Sequence, residues 1–117
     1  MKRIFYHVTP MENCQSMLQF GIKPAIGPRS QLVGATEPLI YLFNSIIGMA
    51  DSLNVWLKNE FAEKTEFGII EIRLSLNDHH LKYQEDNLES TYNSTIGPDK
   101  VIKIISPEDF QRSLYED

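Results

Sequence analysis

Cysteine is nearly absent. Cys14 is the single one in 117 residues, so no internal disulfide can form, and the usage fits a reducing, cytoplasmic setting. Long apolar runs are missing too. No stretch of 18 apolar residues occurs, so no membrane span is expected. The apolar run after Lys2 and Arg3 is too short for a secretory signal. Positive charge is scarce: 11 Lys and Arg face 16 Asp and Glu, for a net charge of −5. Long-range attraction to nucleic acid is therefore not expected for the whole molecule, although Lys2, Arg3, Lys23 and Arg29 make its start mildly basic. Neither Gly-x-Gly-x-x-Gly nor a Walker loop is present, which leaves Rossmann and P-loop nucleotide binding without support. There is no internal repeat, no low-complexity segment and no linker.

What remains is a globular composition. Apolar residues make up 42% of the chain and charged residues 23%, which suits a single domain over 1–117. Such a domain buries roughly two thirds of its unfolded surface and needs no staples.

The beginning carries the strongest local signal. Arg3 to Val8 is aromatic and β-branched and reads as a strand. Thr9 offers an N-cap, Pro10 fits the first helical position, and Glu12 completes a capping-box pattern. Cys14, Met17, Leu18 and Gly21 recur at helical spacing, and Gly21 ends the helix. A loop rich in Pro and Gly follows from Ile22 to Pro38, and Leu39 to Phe43 reads as a buried strand. Ile46, Ala50, Leu53, Trp56, Leu57 and Phe61 mark the apolar side of a second helix. In the strand Phe67 to Leu76, Ile70, Ile72 and Leu74 face one way and Ile69, Glu71 and Arg73 the other. Asn77 to Asn87 reads as polar and irregular, Leu88 to Thr95 as a weak strand, Pro98 to Lys100 as a turn and Val101 to Ile105 as a buried strand. A short helix capped by Ser106 to Asp109 closes the chain. Helices early and strands late predict an α+β domain.

Few residues invite chemistry. His7 is either a half-buried strand residue bonded to a backbone carbonyl or a contact that holds a ligand hydroxyl. Arg29, in Gly27-Pro28-Arg29-Ser30, is either a solvated loop residue or a fork for phosphate oxygens. Tyr41 is either a core aromatic or a face on which a flat ring stacks. Glu89 is either one solvated carboxylate among several or a group that stabilises positive charge on a sugar ring. His79-His80 has no Cys or carboxylate at ligand spacing, so no zinc site is expected. Cys14 reads as packing rather than reactive.

Tyr6-His7-Val8-Thr9, then Asn13, then Met17-Leu18 and Gly21-Ile22, resemble the opening of small ADP-ribosyltransferase-fold proteins. The pattern is most similar to the DarT-type DNA ADP-ribosyltransferases and short bacterial and phage relatives. Arg29 follows where that family has a loop arginine, and Ile40-Tyr41-Leu42-Phe43 matches its short tyrosine strand. Ile96-Gly97-Pro98-Asp99-Lys100-Val101 resembles its closing signature, and counting back by the family's spacing reaches Glu89.

The resemblance implies split, mostly antiparallel β-sheets with flanking helices and an NAD site in the cleft between the sheets. By it, His7, Thr9, Asn13, Arg29 and Tyr41 would contact NAD, with Glu89 and Arg29 catalytic. The implied activity is NAD-dependent mono-ADP-ribosyl transfer, a glycosyl transfer from NAD as substrate to a protein or nucleic-acid acceptor that the resemblance leaves open. A catalytically silent module of the same fold, binding a nucleotide or a protein partner, is the alternative. The chain is shorter than the DarT-type enzymes and acidic, which weighs against DNA as the acceptor.

Overall fold

The computed structural model describes residues 1–24, 37–45, 67–85 and 89–105. Their strands are β1 (Lys2–Pro10), β2 (Ile40–Phe43), β3 (Phe67–Ser75), β4 (Leu81–Lys82), β5 (Glu89–Tyr92) and β6 (Val101–Ile105), with the helix α1 (Met11–Phe20) after β1. The expected second helix and closing helix lie outside the described residues. All six strands join one sheet in the order β4-β5-β2-β1-β3-β6, and every neighbouring pair is antiparallel. The described residues thus form an α+β arrangement on a mostly antiparallel sheet.

The ladders are unequal in length. β1 and β3 pair over nine positions, from Lys2↔Ser75 to Pro10↔Phe67. β1 and β2 pair at a single position, Tyr6↔Phe43. Two side chains extend that junction. Arg3 Nη2 donates to the Asn44 carbonyl at 3.3 Å, and His7 Nδ1 meets the Tyr41 carbonyl at 2.9 Å. The expected division into two sheets is therefore incomplete: the halves β4-β5-β2 and β1-β3-β6 meet at a seam one backbone pair wide.

Alternation along β3 sends Ile70, Ile72 and Leu74 to the core, with Phe5 of β1 directly opposite Ile72. Ile40 and Leu42 of β2, Tyr92 of β5 and Val101 of β6 extend this core, and Cys14, Ile22 and Ile96 close it. Each such side chain contributes about 1.5–3 kcal/mol by leaving water. α1 reaches the sheet at Gly68, where a Cβ would come within 2.6 Å of Cys14 Sγ. Glycine there is what lets the helix sit close.

The capping box does not form. Thr9 is buried in the strand, Pro10 takes the N-cap place, and no side chain caps the helix. β1 runs on to Pro10, so the helix starts one residue later than the Thr9–Glu12 spacing requires. The stop at Gly21 is firmer. Its φ is +88° and ψ −169°, a region open in practice to glycine alone, and its N–H donates to the Met17 carbonyl at 2.8 Å. Ile22 and Ile96 then exchange two backbone hydrogen bonds of 2.9 and 2.8 Å, tying the helix exit to the β5–β6 connection.

Three smaller expectations change. β4 arises within the stretch read as irregular, because Leu81 and Lys82 pair with Tyr92 and Thr91. Val101 to Ile105 is only half buried, with Ile102 40% exposed on the last strand in the sheet order. Leu18 turns to solvent, while Met11 and Met17 pack on the core.

Candidate functional site

Strands β5, β2 and β1 are consecutive in the sheet, so residues far apart in sequence become neighbours. His7 stands on β1, Tyr41 on β2 and Glu89 at the first position of β5. The His7 imidazole spans the seam. A carbonyl oxygen can only accept, so Nδ1 carries the proton donated to Tyr41, and in the neutral ring Nε2 is an acceptor. Burial pushes the His7 pKa below its usual value, outweighing the upward pull of the Tyr41 carbonyl. His7 is thus neutral at pH 7, the form that receives a hydroxyl proton at Nε2. The first of the two roles open to it from sequence, a strand histidine on a backbone carbonyl, is realised.

Register settles which side chains share a face, since directly opposed residues in an antiparallel pair point the same way. Tyr6 opposes Phe43, Phe43 opposes Glu89, and Tyr41 opposes Thr91. Tyr6, Tyr41 and Glu89 therefore share one face. His7 and the buried Thr9 lie on the other, with Phe5, Leu42 and Ser90. The fold brings His7 and Thr9 together on β1, and Tyr41 and Glu89 together on β2 and β5, but on opposite sides of the sheet. Asn13 is exposed on α1. Arg29 lies outside the described residues.

The face of Glu89 carries a continuous cross-strand row. Glu89, Phe43, Tyr6, Glu71 and Lys103 follow one another over β5, β2, β1, β3 and β6. Burial, and then the negative charge of Glu71, raise the Tyr6 pKa, so its phenol stays protonated at neutral pH.

Two polar networks escaped the sequence reading. In the first, Ser90 Oγ donates to Asn44 Oδ1 at 2.7 Å and accepts from the Gln84 N–H at 3.1 Å, while Asn44 Nδ2 donates to the Gln84 carbonyl at 2.9 Å. Ser90 is fully buried and Asn44 nearly so, which makes each bond costly to lose. This network fastens Gln84, and Ser90 of β5, to Asn44 at the end of β2. Alternation along β5 could have marked Ser90 as inward, but no sequence pattern pairs it with Asn44, 46 residues away.

In the second, Tyr92 donates its hydroxyl to Asp78 Oδ2 at 2.7 Å, and the His80 N–H donates to Asp78 Oδ1 at 2.9 Å. His80 Nδ1 donates to Asn93 Oδ1 at 2.9 Å. Burial, together with the Asp78 carboxylate, pushes the Tyr92 phenol far above its ordinary pKa. Burial alone would raise the Asp78 pKa, but the His80 N–H, the Tyr92 hydroxyl and the two imidazoles hold it below the usual carboxylate value. The turn also stacks His79 on His80, ring centres 4.0 Å apart, where an extended segment would have sent them apart. Among the described residues, no three His, Cys, Asp or Glu converge as a metal-binding group, and no helix is long and apolar enough to cross a membrane.

No known family model, curated protein or solved structure matches this chain.

Proposed function

We propose that this chain is a small NAD-dependent mono-ADP-ribosyltransferase, acting on a macromolecular acceptor at the seam between β1 and β2. The observation that carries the reading is the strand order. It sets β5, β2 and β1 side by side, the three strands that bear Glu89, Tyr41 and His7. The donor set suits a ribose: a neutral imidazole presents an acceptor nitrogen, and the carboxylate of Glu89, two strands away, is a group that stabilises developing positive charge. NAD supplies an activated glycosidic bond to nicotinamide, which breaks with oxocarbenium character. Glu89 stabilises that charge, Tyr41 offers a ring face, His7 and Thr9 hold the ribose and amide, Asn13 holds the nicotinamide side, and Arg29 grips the diphosphate.

A second reading has its own observation. Register sets Glu89 on the face opposite His7, which favours a module that binds the nucleotide without transferring from it. One pair of measurements separates the two. NAD raising the melting temperature supports both readings, since a ligand of the native state stabilises it. Release of nicotinamide, lost in a folded Glu89→Gln variant, supports transfer alone. No thermal shift at millimolar NAD would sink both.

A further inference from the structure

Where β5 ends and β2 begins, Pro24, Glu37, Pro38, His80, Asn93 and Ser94 line an open groove of about 460 Å³. That volume lies within the range of small-ligand sites, roughly 300–1,000 Å³. Asn93 follows the last residue of β5 and Glu89 is its first, about 13 Å apart along an extended strand. The groove is thus separate from Glu89.

Its central group is held in place. The His80 ring is bonded to Asn93 through Nδ1, stacked against His79 at 4.0 Å and flanked by Tyr92 at 5.8 Å. Its loop is pinned by Asp78, itself bonded to Tyr92. Backbone closes the lining, as the Asn93 N–H donates to the His80 carbonyl at 3.1 Å. With Nδ1 committed as a donor, Nε2 of the neutral ring is an acceptor. Among the described residues neither that nitrogen, nor the Glu37 carboxylate, nor the Ser94 hydroxyl has a protein partner.

The lining selects by charge and by hydrogen-bond sense. No Lys or Arg is among the described residues that line it, and Glu37 is negative, so phosphates and carboxylates are disfavoured. A carboxylate, an acceptor nitrogen and a hydroxyl call for a ligand rich in O–H donors. Two adjacent hydroxyls on a ring present donors at the spacing of the two carboxylate oxygens, the logic by which an acidic residue takes a ribose in dinucleotide sites. The two proline rings supply apolar walls for the carbon face of such a ring.

We propose that this groove binds the vicinal diol of a neutral sugar ring, with Glu37 accepting from the two hydroxyls and His80 and Ser94 fixing the ring. The inference does not rest on the NAD reading. Binding at the seam would move the amides of His7 and Leu42, not those of the groove.

Amide chemical shifts of the full chain, titrated with uridine, 2′-deoxyuridine and methyl glucoside, test it. Uridine or methyl glucoside should move the amides of His80, Asn93 and Ser94 saturably at millimolar concentration. Uridine alone doing so identifies a ribonucleoside, and methyl glucoside doing so identifies a sugar ring by itself. Where uridine binds, 2′-deoxyuridine should bind at least about tenfold more weakly, the worth of a hydrogen bond to a charged group. Glu37→Gln, at an exposed position, should weaken binding about tenfold with the melting temperature unchanged. No movement of the groove amides by either uridine or methyl glucoside, equal binding of deoxyuridine and uridine, or undiminished binding in Glu37→Gln would overturn the proposal.

Discussion

Replacing His7 with leucine keeps apolar bulk at the seam and removes one donor. The Tyr41 carbonyl then loses the imidazole that meets it at 2.9 Å. Removing this donor from a part-buried carbonyl costs about 1–3 kcal/mol. For a domain of 117 residues this is a fall in melting temperature of about 4–12 °C. The sign of the pH dependence makes the assay specific. Burial lowers the folded pKa of His7, so the unfolded chain takes up a proton near its ordinary value of 6.5 while the folded chain resists. Stability from the neutral ring is whole above pH 6.5 and declines as pH falls from there towards the lower folded value. The leucine variant has no such loss. Urea unfolding followed by circular dichroism at pH 7.5 and pH 5 should therefore show a gap between wild type and variant that narrows at the lower pH. His79 and His80 are common to both chains and cancel. A gap below 0.5 kcal/mol at pH 7.5, or one of constant width, would refute the account of the seam.

Three further substitutions test the packing. Gly21→Ala forces a side chain into a positive-φ region and against the Ile96 carbonyl; it should cost about 3 kcal/mol or more in urea unfolding. Gly68→Ala overpacks against Cys14 Sγ and Met11 Sδ and should cost about 1–3 kcal/mol, and adding Cys14→Ala should recover part of it as a favourable coupling. Asp78 has a depressed folded pKa, so its contribution is present above its ordinary value of 3.8 and disappears as pH falls below it. Asp78→Asn should remove that part of the acid-side slope between pH 4 and pH 2.5, and an unchanged slope would mean that the Tyr92 and His80 bonds do not anchor this turn.

Much of the sheet was legible because its strands alternate cleanly. Ile70, Ile72 and Leu74 face the core as their spacing requires, since a period of two has only one inward solution on a half-buried strand. Gly21 was legible because its role is local. The capping box was not, because its spacing cannot tell whether Thr9 is the last strand residue or the cap; pairing of Thr9 with Gly68 decides for the strand. β4 was invisible in a two-residue stretch whose strand character comes from β5 beside it. His7, Tyr41 and Glu89 were legible as an ordered set, but their sidedness was not. Parity along each strand is readable, whereas the offset between strands is set by pairing, and a shift of one residue exchanges every face.

That offset is where the transfer reading can be decided. On one face, Glu89 and Glu71 flank Phe43 and Tyr6 in a single row; on the other, Ser90 occupies the β5 place nearest His7 and is sealed by Asn44 and Gln84. A ligand in reach of both His7 and Glu89 has to lie where β1 and β2 part on either side of their single pair, Tyr6↔Phe43. Glu71 offers a control, because it shares the face of Glu89 but stands three strands from it, on the far side of the seam. Nicotinamide release should fall at least about a hundredfold in Glu89→Gln, a loss on the order of that for removing one group that stabilises the transition state, and by less than about threefold in Glu71→Gln. His7→Leu should weaken NAD binding as well as turnover if the ribose sits in the seam. Loss of release in Glu71→Gln with His7→Leu unaffected would put the reaction wholly on the face of the row and leave the histidine to hold two strands together.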